Sequence, residues 1–160
     1  MALSSPGHSA PGPYHGAGRQ APAGAAAPAH GPVLAIAVEV ASLEELGRPN
    51  RTSRPGAGPA TGAFSSAERD LARRLSRPEQ WLAQALAVKR AVAKALGLLT
   101  GPGQLAEVEV TQEADGRWSP HLAGGLSQRA SLLGVTEFAV TSDLGDDGSA
   151  TATVIALGAH

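Results

Sequence analysis

Lys89 and Arg90, followed by Lys94, are the residues of this 160-residue chain best placed to do chemistry. Arg90 and Lys94 are four apart, and on a helix that spacing stacks two cations at a cost of about 0.2–0.5 kcal/mol. An anion between them removes that cost, so the spacing points to an anion-binding site. A plainer account also exists: Lys94 can complement a helix C-terminus, and the Lys89 stem can carry its ammonium out to water. Glu39, at the end of a strand, is either a solvated edge residue or a site residue. His121 is a further base on a strand that reads as exposed. Asp143 opens an acidic stretch, Asp143-Leu144-Gly145-Asp146-Asp147-Gly148, that lacks the closing Glu of a calcium loop and reads as turn chemistry.

The segment 78–97 must carry the three cations. Leu82, Leu86, Lys89, Ala93 and Leu96 recur at three- and four-residue steps, which puts a lysine inside an apolar helix face. Six alanines between Ala83 and Ala95 favour the helix, Pro78 suits its first turn, and Gly97 supplies a left-handed stop. Upstream, 64–75 reads as a surface helix with Ser65 or Ser66 as N-cap, Glu68 as capping-box partner, and Leu71 and Leu75 on one face. The branched run 33–40 reads as a strand and Ser42 as the cap of a short helix. Past Gly101, 105–111 and Trp118–Leu122 read as a hairpin, 126–133 as a helix ending at Gly134, and 137–141 with 150–157 as a second hairpin. The Pro- and Gly-rich loop 47–62 carries Arg48, Arg51 and Arg54, and Arg54 joins Lys89 and Lys94 as a candidate substrate or anion ligand.

Residues 1–32 are mostly Ala, Gly, Pro and Ser with no acid, a composition that reads as a disordered tail; its irregularly spaced His8, His15 and His30 make no metal site. Residues 33–160 are expected to form one domain with an aliphatic core. Residues 48–94 carry ten Arg or Lys against three acids, whereas 98–160 carry two Arg against eight acids. The basic half suits phosphate, coenzyme A or an acidic protein. Two Trp, one Tyr and two Phe are too few for base stacking, so no nucleic-acid partner is expected. No cysteine is present, which removes disulfides and thiol chemistry. No apolar run reaches membrane-spanning length, and the expected location is the cytoplasm.

In order and spacing, Ala37-Val38-Glu39-Val40, Phe64 and Ser65 with Glu68, and the run from Pro78 through Ala87-Val88-Lys89-Arg90 to Lys94 and Gly97 resemble the holo-acyl-carrier-protein synthases, the small 4′-phosphopantetheinyl transferases. The likeness continues through Glu107-Val108-Glu109-Val110, Asp115-Gly116-Arg117, Leu122-Ala123-Gly124 and Val140-Thr141-Ser142-Asp143 to the last strand. It implies an α+β fold, a long central helix packed on a small antiparallel sheet, and a homotrimer. It also implies transfer of phosphopantetheine from coenzyme A to a carrier-protein serine, with Mg²⁺ held by a strand Asp and a helix Glu.

Those two carboxylates align with Glu39 and Arg90. The family's Ser-His matches Ser142-Asp143, and the Arg that docks acidic carrier protein matches Glu45. A guanidinium in the metal position implies a degenerate metal site and no Mg²⁺. The resulting expectation is a repurposed enzyme of a fatty-acid or polyketide pathway acting on an acyl-carrier-protein- or coenzyme-A-linked substrate. Arg90, Lys89 and Lys94 would supply positive charge, with Glu39 or Asp143 as acid–base. The alternatives are the family's own transfer reaction, and a non-catalytic carrier-protein-binding scaffold in which Glu39 and Arg90 form a structural ion pair.

Overall fold

The computed structural model describes residues 30–47, 61–98 and 101–160; most of the expected tail, and the loop containing Arg54, lie outside the described residues. In chain order the elements are β1 (Val33–Ser42), α1 (Leu43–Gly47), a 3-10 turn (Thr61–Ala63), α2 (Ser66–Arg73), α3 (Pro78–Ala95), α4 (Pro102–Leu105), β2 (Val108–Gln112), β3 (Trp118–Leu122), α5 (Gly124–Leu133), β4 (Val135–Leu144) and β5 (Ser149–Gly158). The fold is α+β. Helix α3 packs on a three-stranded antiparallel sheet of order β1-β5-β4, while β2 and β3 form a separate hairpin.

Local sequence explains most boundaries. Ser65 Oγ accepts from Glu68 N at 3.2 Å while Glu68 Oε2 accepts from Ser65 N at 2.7 Å, so α2 opens on the expected capping box. Helix α3 starts with Pro78 in its first turn and is followed by Gly97 at φ 75°. One boundary differs from expectation. The strand read from residue 105 begins at Val108, because Gly101 N donates to Gln104 Oε1 at 3.3 Å and Pro102–Leu105 closes into a helical turn.

The expected single apolar stripe on α3 is also too narrow. Eleven of its residues are buried, from Trp81 to Ala95, because the sheet covers one side while α2 and the β2–β3 hairpin cover others. Leu86, Val88 and Val92 are each at most 2% exposed, and burying such side chains stabilises by about 1.5–3 kcal/mol apiece. Trp81 and Trp118 meet at 5.6 Å between ring centroids, which joins the hairpin to the first turn of α3. Leu75, expected on one helix face with Leu71, lies beyond α2, which ends at Arg73, and is exposed.

Opposed residues in antiparallel strands share a face, so the register gives the surface under α3 row by row. Ala41, Ala150 and Leu144 form one row; Glu39, Ala152 and Ser142 the next; Ala37, Val154 and Val140 the third. The small residues of β5, Ala150, Ala152 and Ala156, are all fully buried, as are Ala83, Ala87 and Ala91 of the helix. Alanine on both sides lets helix and sheet backbones approach closely.

On the other side of α3, the Lys89 ammonium is fully buried. It lies 2.7 Å from Glu68 Oε2 and donates to the carbonyls of Ala63 at 2.8 Å, Leu105 at 3.3 Å and Val108. The Phe64 ring sits 5.5 Å away, and Glu68 Oε1 accepts from Val110 N at 2.8 Å. Burial pulls the ammonium below the usual lysine range, against the opposing pull of Glu68. Lysine and glutamate are almost never buried fully unless paired. Lys89 therefore neither reaches water nor offers a proton to an outside anion, which corrects its expected role as a substrate ligand: its anion is Glu68.

Removing one member of such a pair strands the other in the core, a loss of about 3–5 kcal/mol. Lys89→Met is expected to lower unfolding free energy in urea by about that amount. The Glu68→Leu/Lys89→Met double variant is expected to recover part of the loss.

Candidate functional site

Arg90, one step along α3 from Lys89, faces the end of β1, where α1 begins. Its NH2 lies 2.7 Å from Glu45 Oε2 and its NH1 donates to the Val40 carbonyl at 3.2 Å. One turn on, Lys94 Nζ lies 2.9 Å from Glu39 Oε1 and donates to the Val38 carbonyl at 3.2 Å. Strand β1 is an edge strand, and two cations from the helix take up two of its carbonyls. The four charged side chains form a half-exposed, charge-balanced cluster.

The anion that the Arg90/Lys94 spacing calls for is thus supplied by the chain itself, as two carboxylates. Glu39 is partnered by Lys94 rather than by Arg90, and Glu45 is the fourth member that periodicity did not single out. Ser42 Oγ accepts from Glu45 N at 3.3 Å and caps α1, which fixes the segment bearing Glu45. Glu39 projects toward α3 because its opposite residue, Ala152, is buried under the helix. Ser142, in the same row, carries a buried hydroxyl with no hydrogen-bond partner among the described residues.

Asp143, the adjacent residue, points to the outer face of the sheet, opposite Thr151, and within one chain is not brought to Glu39 and Arg90. His121 is exposed on β3, with Nε2 at 3.4 Å from Thr111 Oγ1, also outside the cluster. The acidic stretch after Asp143 is turn chemistry: Asp147 Oδ1 accepts from Ser149 N at 3.0 Å and from Ser149 Oγ at 2.6 Å. Those bonds hold the Asp147 carboxyl below its usual value.

Solved structures place this architecture. The chain superposes on holo-[acyl-carrier-protein] synthase from Neisseria meningitidis with a TM-score of 0.65 at 21% identity, covering 78% of this chain and 98% of that one. It superposes on the Chronobacterium ammoniagenes synthase–coenzyme A complex with a TM-score of 0.60 at 23% identity, covering 79% and 98%. For the Helicobacter pylori synthase in complex with coenzyme A the TM-score is 0.58 at 17% identity, covering 76% and 98%. No protein-family model and no curated protein sequence matches. The chain has the holo-acyl-carrier-protein synthase fold.

The sequence resemblance implies a divalent ion between a strand carboxylate and a helix carboxylate, at the positions of Glu39 and Arg90. In the structure Arg90 is paired with Glu45, and Glu39 with Lys94. Among the described residues, no group of three or more His, Cys, Asp or Glu could hold a metal ion. Also among them, no helix is long and apolar enough to cross a membrane.

Half-exposed pairs of this kind contribute about 0.2–1 kcal/mol each. Glu39→Gln and Glu45→Gln are accordingly expected to shift thermal unfolding only slightly. Arg90→Glu places a third acid beside Glu39 and Glu45, and millimolar Mg²⁺ is expected to raise the melting temperature of that variant while leaving the parent chain unchanged.

Proposed function

We propose that the chain uses Arg90 and Lys94 to engage a phosphopantetheine-bearing molecule, coenzyme A or an acyl carrier protein, in a fatty-acid or polyketide pathway, without a divalent ion. The observation that carries this is the pair of helix cations, each bonded to a half-exposed acid, at the positions where the sequence resemblance implies a metal held by carboxylates. Such half-exposed pairs are worth only about 0.2–1 kcal/mol each, and a phosphate brings more charge and more acceptor oxygens than one carboxylate. A phosphate or developing oxyanion can therefore displace Glu39 or Glu45 from its cation. The displaced carboxylate is then a free acid–base group beside the bound anion. Coenzyme A in the complexes of the fold neighbours supports it as a ligand of this chain.

The outer face of β1 exposes Leu34, Ile36, Val38 and Val40, with Ile36 64% exposed. An apolar face of that kind suits association with further copies of the chain, and three copies are proposed in keeping with the fold resemblance. Asp143 shares that outer face, in the row of Val40 and Thr151. In an assembly it would serve the cluster of a neighbouring copy. Arg54 is proposed as a further anion ligand.

A second function is favoured by the same charge balance: a non-catalytic carrier-protein-binding scaffold, in which the two ion pairs replace the metal permanently. Turnover of acyl-thioesters separates the two.

Mass spectrometry of apo acyl carrier protein incubated with coenzyme A, Mg²⁺ and this chain is expected to show no phosphopantetheinyl mass gain. A gain that EDTA abolishes would overturn the proposal. Calorimetric binding of coenzyme A is expected to persist in EDTA and to weaken at least tenfold in Arg90→Ala. Light scattering should show Ile36→Asp as a monomer if the outer face joins copies.

A further inference from the structure

Between α2 and α3 the chain makes a tight turn, and Arg73 at the end of α2 and the four turn residues, Arg74, Leu75, Ser76 and Arg77, are all exposed. Arg73 meets Asp70 at 2.9 Å, whereas the side chains of Arg74 and Arg77 have no hydrogen-bond or ion-pair partner among the described residues. From residue 69 to 77 there are four arginines and one acid, Asp70. Leu75 sits among them, 38% exposed.

This turn is firmly held. Arg74 N donates to Leu71 O at 3.0 Å and Leu75 N to Ala72 O at 3.0 Å. One side is anchored by Glu68, bonded to Lys89 in the core, and the other by Arg77 O, which accepts from Trp81 N at 3.3 Å. Guanidinium groups on an ordered backbone lose less freedom on binding than the same groups on a flexible loop. Arginine matches carboxylates with paired donors.

We infer that this Arg-Leu-Arg turn is the docking surface for an acidic helical protein, and that the occupant is the carrier protein itself. The inference rests on the carrier-protein form of the proposed function and adds where that protein sits. Charge complementarity favours an acidic partner, and the leucine between the arginines calls for an apolar residue at the centre of the partner's acidic face. No aromatic residue occurs from 65 to 80 to stack a base, which sets a nucleic acid aside. The segment after β1 presents Glu44 and Glu45 instead of cations, and Glu45 is already bonded to Arg90. From the start of α3, Arg90 lies twelve residues along the helix, about 18 Å at 1.5 Å per residue. A partner docked at the turn and carrying a flexible prosthetic arm can thus address the Arg90/Lys94 cluster.

The test is calorimetric titration of the full chain with a purified, acidic bacterial holo acyl carrier protein. Variants are Arg74→Glu/Arg77→Glu and, as a control in the basic loop, Arg48→Glu/Arg51→Glu, each checked for an unchanged melting temperature. At low salt the parent chain is expected to bind, with affinity falling as salt rises. Affinity is expected to drop at least tenfold in the 74/77 variant and less than threefold in the loop variant. Loss confined to the loop variant, or equal binding by all three chains, overturns the docking site and leaves the proposed function standing. Absence of carrier-protein binding with coenzyme A binding retained overturns the docking site and restricts the proposed function to its coenzyme form. Tighter binding of a single-stranded oligonucleotide, lost in the 74/77 variant, also overturns it.

Discussion

The fold depends on one ammonium group brought into its interior. Lys89 and Glu68 draw together the 3-10 turn, α2, α3, α4 and β2, through the carbonyls of Ala63, Leu105 and Val108 and the amide of Val110. Those polar groups lie on the 3-10 turn, on α4 and along β2, whose only partner strand among the described residues is β3, so a ladder does not satisfy them. A buried charge with four oxygen neighbours does so in one place. The arrangement is demanding, because an ion pair out of water is stabilising only when nearly every bond is made. It also fixes the rotation of α3 about its own axis. With Lys89 aimed at the α2 side, Arg90 and Lys94 are necessarily turned toward β1.

Charge on one helix therefore does two different things. Lys89 is inside and permanent, while Arg90 and Lys94 are at the rim, where water weakens each pair and a ligand can compete. The difference lies in surroundings, since Lys89 and Lys94 are the same residue type five positions apart. At the rim each cation spans a carboxylate and an edge-strand carbonyl, so α3 and β1 are stitched by side chains where β1 has no neighbouring strand.

Much of the fold was legible because its signals are local. The Ser65/Glu68 box, Pro78 and Gly97 around an alanine-rich run, and the alternating strands each report on a few neighbouring residues, and each formed, the first hairpin strand three residues later than expected. What escaped was non-local. Periodicity placed Lys89 inside an apolar face but could not say that Glu68, already used as a cap, would meet it there. The Arg90/Lys94 spacing announced an anion without revealing that Glu45 and Glu39 would be that anion. Strand propensity overran residues 105–107, where a proline turn and a carbonyl claimed by Lys89 prevail. Alternation alone puts Ser142 and Asp143 on opposite faces, yet only the register with β5 shows which of them shares a row with Glu39.

The alanine seam between α3 and the sheet bears on how freely this cluster could drift over generations. A methyl group has no rotamers, so nothing in the seam can swing aside to admit a larger neighbour, and added bulk must be absorbed by the two backbones moving apart. Ala152 lies beside Glu39 in the register, so growth there would work as a wedge that opens the gap to Lys94 before it damages the rest of the core. Variation at a position carrying no charge would then tune how tightly the rim pairs are closed.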